Sequence, residues 1–365
     1  MTTKTDADVF HAWAVGEGLF AGNVTAPATV TAADVETISP VADPAREVLR
    51  KKGIQQIFFN EVTRVITVLT RKAKPTKREA TVLPKTVGES SIEYRQGVVD
   101  EVGGELPKPH GKPFHVVLRP EGDCYACGSS ISLANCQDAG TLGALVRDAG
   151  GVLYGLSNNH VTGGCNHAAN QMPILAPGVL DVSPMGFDPI TIGYHERGLD
   201  MVPGIPGAVP VHKNLDAALF KIKDQDRVSS MQGSSYDTPS SARAIKANMS
   251  VEKVGRTTSH TKGTVRGQAQ SAVAIHYGLT GVGYSFKSQV YFEPVFVVEG
   301  IGEVFSEEGD SGSLVTSVDG AGERHAVGLI VGGFKGAVGT GYSLVLPIES
   351  ILNALGVELV AGHNT

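Results

Sequence analysis

Short apolar runs broken by turn residues fill the chain from Phe114 onward, and they restrict its fold more than any other feature. The runs cover residues 116–118, 142–146, 152–156, 219–222, 290–298, 326–331 and 342–346, with Gly, Pro and Asn between them. The chain has 45 Gly and 19 Pro but one Trp, as expected where many short elements meet in tight turns. This spacing predicts a mainly β barrel or sandwich.

The ends of the chain show a different pattern. Residues 1–42 lack a clear hydrophobic period and are predicted to form a loose lead-in. Asp43 and Pro44 predict the start of a helix that stops at Gly53, and β-rich runs follow. We therefore expect a small α/β accessory domain over 43–106, a Pro/Gly-rich linker over 107–113, and a C-terminal helix over 347–355 closed by Gly356.

Composition limits the partners and the location. The 365 residues are 41% hydrophobic and 19% charged, which is ordinary for a globular protein with a real core. The net charge of −6 gives no support for binding nucleic acid or an anionic membrane. No apolar run is long enough to span a membrane, and the N-terminus does not resemble a secretory signal. We expect a cytoplasmic protein without a cofactor.

The segment Gly309-Asp310-Ser311-Gly312-Ser313 carries the strongest chemical signal. A serine between glycines can occupy a tight turn with its hydroxyl exposed and backbone N–H groups directed at one point. Acyl transfer requires such a nucleophile beside donors for the developing oxyanion. Short Gly/Ser/Asp runs are also ordinary turns, so the motif needs support from elsewhere.

Two upstream segments supply that support. His160 follows a strand-like run and stands where polar residues begin, a suitable place for a general base. Asp216 lies in an apolar segment, where an unpaired carboxylate would be costly and an imidazole N–H is a natural donor. Taken singly, a structural role would be favoured for His160, and a turn-capping role would be as likely as a catalytic one for Asp216.

In the order His160, Asp216, Ser311, the chain resembles the chymotrypsin-fold, or trypsin-like, serine peptidases. A closer resemblance, to their narrow-leaf-one-like branch of bacterial and plant members, is carried by residues 139–143, 156–161, 253–258, 309–313 and 346–348. The resemblance implies a peptidase domain over 114–358, with β-barrels at about 114–225 and 245–346. It also implies a nucleophilic Ser311, a base His160 oriented by Asp216, and an oxyanion hole made by the N–H groups of Gly309 and Ser311.

The same resemblance suggests a substrate pocket. Phe305 would lie near its base, where trypsins carry an aspartate, although it could equally be a core residue. Val331, Gly332 and Gly333 would form the wall. Without a carboxylate at the base, we expect small or apolar side chains to be preferred.

Activation is an open question at this stage. Secreted trypsins pair the aspartate before the nucleophile with a new N-terminus, but no matching cleavage site precedes the barrel here. Asp310 must then have another partner, or the oxyanion turn is disordered until a substrate, partner or second copy binds.

Four cysteines are the other unusual feature. Cys124 and Cys127 form a C-x-x-C pair, Cys136 follows, and Cys165 lies two residues before His167. A Cys/His set can bind zinc, but this spacing matches no standard pattern. Unlinked thiols are favoured over structural zinc or a disulfide, and no metal site is predicted.

Two functions remain in competition. The leading hypothesis is a serine endopeptidase that acts on protein or peptide substrates and that could be self-processing or activated by a partner. The alternative is a catalytically silent peptide-binding or regulatory module on a peptidase scaffold. The N-terminal domain could bind a regulatory partner or form a homo-oligomer.

Overall fold

Helices lie mainly near the two ends of the chain, in a computed structural model that describes residues 2–22, 24–38, 41, 43–99, 101–102, 106–182, 189–282, 284–336 and 341–365. The α-helices are α1 (Thr3–Gly16), α2 (Ala32–Glu36), α3 (Asp43–Lys52), α4 (Lys77–Ala80), α5 (Asn159–Thr162) and α6 (Ile348–Leu355). Short 3₁₀ helices span Val179–Asp181, Val211–Lys213 and Gln225–Arg227. Within the described residues, none of the helices has the length and apolar character needed to cross a membrane.

Strands make up most of the remaining regular structure. The N-terminal strands are β1 (Ile54–Asn60), β2 (Val65–Thr70), β3 (Thr86–Val87), β4 (Ser90–Gln96), β5 (Val98–Val99), β6 (Glu101–Val102) and β7 (Val116–Val117). The next are β8 (Cys124–Cys127), β9 (Ser130–Leu133), β10 (Gly140–Thr141), β11 (Ala144–Asp148), β12 (Leu153–Ser157), β13 (Pro173–Ala176), β14 (Ile190–Gly198), β15 (Ala218–Ile222), β16 (Val228–Gln232) and β17 (Tyr236–Asp237). The last are β18 (Ser250–Gly255), β19 (Ser259–Ala269), β20 (Val273–Gly281), β21 (Tyr284–Phe292), β22 (Phe296–Gly300), β23 (Leu314–Val318), β24 (Arg324–Lys335), β25 (Gly341–Pro347) and β26 (Val357–Leu359).

The N-terminal segment is more ordered than its composition suggested. Thr2 caps α1 by accepting a hydrogen bond from the backbone N–H of Thr5. Phe10 and Trp13 are buried, with ring centroids 5.3 Å apart, in a core that α1 shares with β1 and β2. The prediction of a loose lead-in is therefore wrong for α1, because buried apolar residues at helical spacing are hidden among Thr and Asp.

The accessory strands continue the sheet of a barrel. Strands β1 and β2 pair antiparallel, and β2 pairs with β4 in parallel. The free edge of β1 pairs with β19, where Phe58 lies opposite Ala269. The N-terminal α/β unit is thus hydrogen bonded directly to the second half of the chain.

That second half contains a closed barrel. Its six strands follow the order β18-β23-β24-β25-β22-β19, and β18 pairs again with β19 to complete the circle. Phe305, Val265 and Val345 are among the residues that fill its interior. The antiparallel hairpin β20–β21 leaves the barrel between β19 and β22.

The first half forms a curved sheet with the order β10-β9-β13-β14-β15-β12-β11-β26. The sheet makes a half-barrel, so the predicted mainly β, chymotrypsin-like double barrel is confirmed, with one barrel closed and the other open. The predicted C-terminal helix is also confirmed: α6 ends at Gly356, whose φ of 64° is the left-handed conformation that glycine permits.

One apolar core joins the two halves. It includes Leu156 and Leu219 from the half-barrel and Leu314 and Leu346 from the closed barrel. Because the two halves share this core, strand ends from both of them meet along the same junction. The three residues predicted to act together lie at such strand ends.

Candidate active site

A buried imidazole–carboxylate pair lies beside the C-terminal end of β12 and the N-terminal end of β15, which are neighbouring antiparallel strands. Ser157 of β12 pairs with Ala218 of β15, so the residues just beyond these positions are close neighbours. Nδ1 of His160 lies 2.5 Å from Oδ2 of Asp216, and the backbone N–H of His160 donates to Oδ1 at 3.0 Å. The side chains are 5% and 0% exposed.

Further bonds fix the position of Asp216. The side-chain amide of Asn158 donates to the Asp216 carbonyl at 2.6 Å, and the hydroxyl of Tyr277 donates to Oδ2 at 2.9 Å. With the Nδ1 proton of His160 directed at this carboxylate, Nε2 is left as the basic nitrogen of the ring. This arrangement suits a general base.

Ser311 lies in a turn with two left-handed glycines. Gly309 has φ 94° and Gly312 has φ 90°, values that residues with a Cβ rarely adopt. The N–H groups of Asp310, Gly312 and Ser313 donate to backbone carbonyls. Those of Gly309 and Ser311, in contrast, donate to no acceptor in the described part of the chain. These are the two donors expected to bind an oxyanion.

His160 and Ser311 line one cavity, together with Gly309 and the strand residues Gly332 and Gly333. No hydrogen bond joins the Ser311 hydroxyl to His160, although both residues are described. Such bonds are often long in a free enzyme and tighten when substrate binds. The structure therefore brings the three predicted residues to one place, without a bond between Ser311 and His160.

Asp310 is held by an internal cation. Its carboxylate accepts hydrogen bonds from the backbone N–H groups of Thr257, Thr258 and Glu307 at 2.8, 3.2 and 3.0 Å. The ammonium of Lys253 lies 3.3 Å from Oδ2, and both side chains are fully buried. Of the two alternatives left by the sequence, the structure shows the first, in which Asp310 has another partner.

The predicted substrate pocket is only partly correct. Gly332 and Gly333 line the cavity as expected, but Phe305 and Val331 do not. Phe305 is 1% exposed and packs in the closed barrel, and Val331 points into the shared core. The pocket lining beside the nucleophile includes Ser306, whose hydroxyl lies 2.5 Å from that of Ser343.

Three carboxylates also line the cavity. Glu307 lies 3.2 Å from a ring nitrogen of His110, and Glu308 lies 2.8 Å from the Lys335 ammonium. Asp138 accepts a hydrogen bond from the next backbone N–H, and burial raises the pKa of its carboxyl. The Lys335 ammonium and the raised pKa of Asp138 reduce the negative charge that the cavity offers to a substrate, and a protonated His110 would reduce it further.

The cysteines are four buried thiols. Cys124 and Cys127 donate to the carbonyls of Asp226 and Ser229, and burial raises the pKa of Cys127 to about 12. They do not assemble with Cys136, Cys165 or His167 into a metal-ligating group. Within the described ranges, one group of three such side chains is close enough to share a metal ion. It consists of Asp319, Glu323 and His325, at the connection between β23 and β24.

Comparisons with known proteins found similar solved structures but no similar sequence. No family model and no curated protein matches the sequence. Protease A of Thermobifida fusca has a TM-score of 0.42 and 18% identity, covering 65% of this chain and 100% of its own. A glutamic acid specific serine protease has a TM-score of 0.41 and 22% identity, covering 64% and 100%. A chymotrypsin of Cellulomonas bogoriensis has a TM-score of 0.39 and 16% identity, covering 64% and 97%. These identities are too low to transfer a residue's role or a substrate.

Several residues of the site were missed from the sequence. Asn158 stands inside the segment that indicated His160, and its position beside the histidine was a usable signal. Lys253 is one of many lysines, and Tyr277 is one of many apolar or aromatic residues in alternating strands. Only the pairing of distant strands shows that they reach Asp310 and Asp216.

Proposed function

We propose that the chain is a serine endopeptidase that cleaves peptide bonds through an acyl-enzyme on Ser311. The observation that carries this proposal is the buried His160–Asp216 pair beside a serine turn with two unused N–H groups. A hydrogen-bonded carboxylate, a base with one free nitrogen and a preorganised donor pair are the components of acyl transfer.

Each group has a defined step. The oxygen of Ser311 bonds to the substrate carbonyl carbon while its proton passes to Nε2 of His160. The N–H groups of Gly309 and Ser311 stabilise the oxyanion, and His160 then protonates the amine as the C–N bond breaks. Water, activated by the same nitrogen, releases the acyl group. Asp216 stabilises the imidazolium present during both steps.

Small or apolar side chains remain the substrate preference that we propose for the residue before the cleaved bond. The hydroxyls of Ser306 and Ser343 are hydrogen bonded to each other, and neither residue offers a carboxylate to a substrate. The charges of Glu307 and Glu308 already face His110 and Lys335. A substrate lysine or arginine would therefore find little uncompensated negative charge. A peptide library would reveal this preference directly, and strong selection for lysine or arginine would contradict it.

We also propose that no processing is needed to form the site, because Lys253 supplies the positive charge beside Asp310. The purified chain is expected to react without a lag and without an added partner.

The motifs at residues 139–143, 156–161, 253–258, 309–313 and 346–348 support membership in the narrow-leaf-one-like branch. The four thiols support a cytoplasmic location, and binding of a regulatory partner or a second copy through the N-terminal unit stays a proposal for that region.

A fluorophosphonate probe tests the activity. The wild-type chain should be labelled, and Ser311→Ala and His160→Ala should not. Ser230→Ala and His195→Ala are matched controls, since these residues are buried in the first half of the chain and do not line the cavity. If the wild type is never labelled and yet binds peptides, the silent binding module is the correct function.

A further inference from the structure

Tyr277 lies between the two halves of the site, although it belongs to none of the sequence motifs. It is on β20, in the hairpin that leaves the closed barrel, and its hydroxyl reaches across to Asp216 on the half-barrel. The hairpin is fixed at this junction a second time, because Asn214 donates to the carbonyl of Tyr291 at 2.9 Å. The hairpin that carries Tyr277 is therefore bonded to the half-barrel side of the junction at two points.

Tyr277 contacts the same carboxylate oxygen of Asp216 that faces the imidazole of His160. The hydroxyl of Tyr277 donates to Oδ2 of Asp216 at 2.9 Å, and the same oxygen receives Nδ1 of His160 at 2.5 Å. The Tyr277 ring also packs against the imidazole, with centroids 5.3 Å apart and planes inclined by 45°. One residue thus contacts both members of the pair and is 2% exposed itself.

We infer that Tyr277 is a positioning residue for the triad: it fixes the Asp216 carboxylate and shares the negative charge that faces His160. This inference rests on the proposed function and deepens it. A donor that shares Oδ2 withdraws charge from the oxygen facing the imidazole, so the carboxylate stabilises the imidazolium less than it would alone. The bond also prevents rotation of the carboxylate, which keeps Nδ1 of His160 engaged and Nε2 directed into the cavity.

The hydroxyl can act in this way throughout the working pH range. Burial and the nearby Asp216 carboxylate raise the pKa of Tyr277 well above its usual value, so the phenol stays protonated and donates. Burial likewise raises the pKa of Cys165, which stays a neutral thiol beside the same carboxylate. The titratable groups near His160 and its partner are Asp138, Cys165, Asp216 and Tyr277.

The direct test is Tyr277→Phe, which removes the hydroxyl and keeps the ring. Since the bond is present both in the free enzyme and in the transition state, only part of its strength affects the rate, and we expect kcat to fall about tenfold with KM little changed. Without this donor the Asp216 carboxylate stabilises the imidazolium more strongly, so the acid limb of kcat/KM should move to higher pH. Tyr125→Phe is the control, because Tyr125 is similarly buried and donates to a carbonyl, that of Ser130, at 2.6 Å, away from the triad.

A second replacement keeps the inference testable if the phenylalanine variant does not fold. Site-specific 3-fluorotyrosine at position 277 retains the ring and the hydroxyl but makes the hydroxyl a stronger donor, so the acid limb of kcat/KM should move to lower pH instead. NMR titration of the His160 ring reports both shifts without any turnover. If the wild type proves inactive, this titration still tests the positioning role and only the proposed function fails. The wild type could instead be active while Tyr277→Phe and the 3-fluorotyrosine variant show the same kcat and the same His160 titration as the control Tyr125→Phe. In that case the inference is wrong and the proposed function stands.

Discussion

Replacement of Lys253 by methionine removes the cation beside Asp310 and keeps a side chain of similar length. Lys253 and Asp310 are fully buried and 3.3 Å apart, so no water can replace the lost charge. The carboxylate would retain its hydrogen bonds from Thr257, Thr258 and Glu307 but lose its only charged partner among the described residues.

The size of the effect follows from the distance. At 3.3 Å and an effective dielectric constant of about 20, the attraction between the two charges is about 5 kcal/mol. Desolvation of the ions offsets part of it in the intact protein, but removal of one partner leaves the other charge buried and unpaired. Such losses cost about 3–5 kcal/mol. Lys253→Met should therefore lower the free energy of unfolding by about that amount.

Urea unfolding at neutral pH measures the loss, and the rate of fluorophosphonate labelling shows whether the serine turn is disturbed. Lys52→Met is the control, since Lys52 pairs with Glu79 at 3.1 Å in the N-terminal unit, far from the turn in the fold. The double variant Lys253→Met/Asp310→Asn should recover part of the stability, because a neutral amide needs no counter-ion. If Lys253→Met and Lys52→Met show the same free energy of unfolding and the same labelling rate, the Lys253–Asp310 ion pair does not stabilise the serine turn.

Three further predictions concern single residues. Gly309→Ala should slow labelling by about 10²–10³-fold, because its Cβ would lie 2.5 Å from Oγ1 of Thr257 and would displace an oxyanion donor; labelling at the wild-type rate would contradict this. Burial lowers the pKa of His11 from 6.5 to about 4, so between these values the unfolded chain binds a proton that the folded chain does not. The free energy of unfolding should thus fall by up to about 3 kcal/mol as the pH drops through this window, and urea titrations of His11→Leu should lose that dependence. Phe305→Ala should cost about 3–5 kcal/mol in the same assay while leaving the substrate preference unchanged, since this ring fills the barrel and not the pocket.

Sequence patterns predicted those structural elements that are determined by residues close together in the sequence. Turn residues between short apolar runs predicted the strands, and Gly356 predicted where α6 ends. His160 was found at the end of an apolar run, Asp216 as a carboxylate within an apolar segment, and Ser311 as a serine between glycines. Their convergence was an expectation from the family resemblance and not from the spacing alone.

The errors arose where long-range packing decides the outcome. The family resemblance placed Phe305 near the base of the pocket, but the connection between β22 and β23 directs this side chain into the closed barrel. Helix α1 was missed because its buried face is interrupted by polar residues. Lys253 lies in a segment that carried the family resemblance, but nothing local showed its partner, and Tyr277 had no local signal, because Asp310 and Asp216 lie far away in the sequence.

The pairing of β26 with β11 has a consequence for the order in which the molecule is made. Val146 lies opposite Leu359, so the edge of the half-barrel is completed by a strand from the far end of the sequence. Contacts between such distant segments form late and slowly during folding. On the ribosome, His160 and Asp216 emerge long before Val357–Leu359, and their half of the fold must wait for those residues. Completion of the half-barrel that carries His160 and Asp216 would then follow the synthesis of residues 357–359.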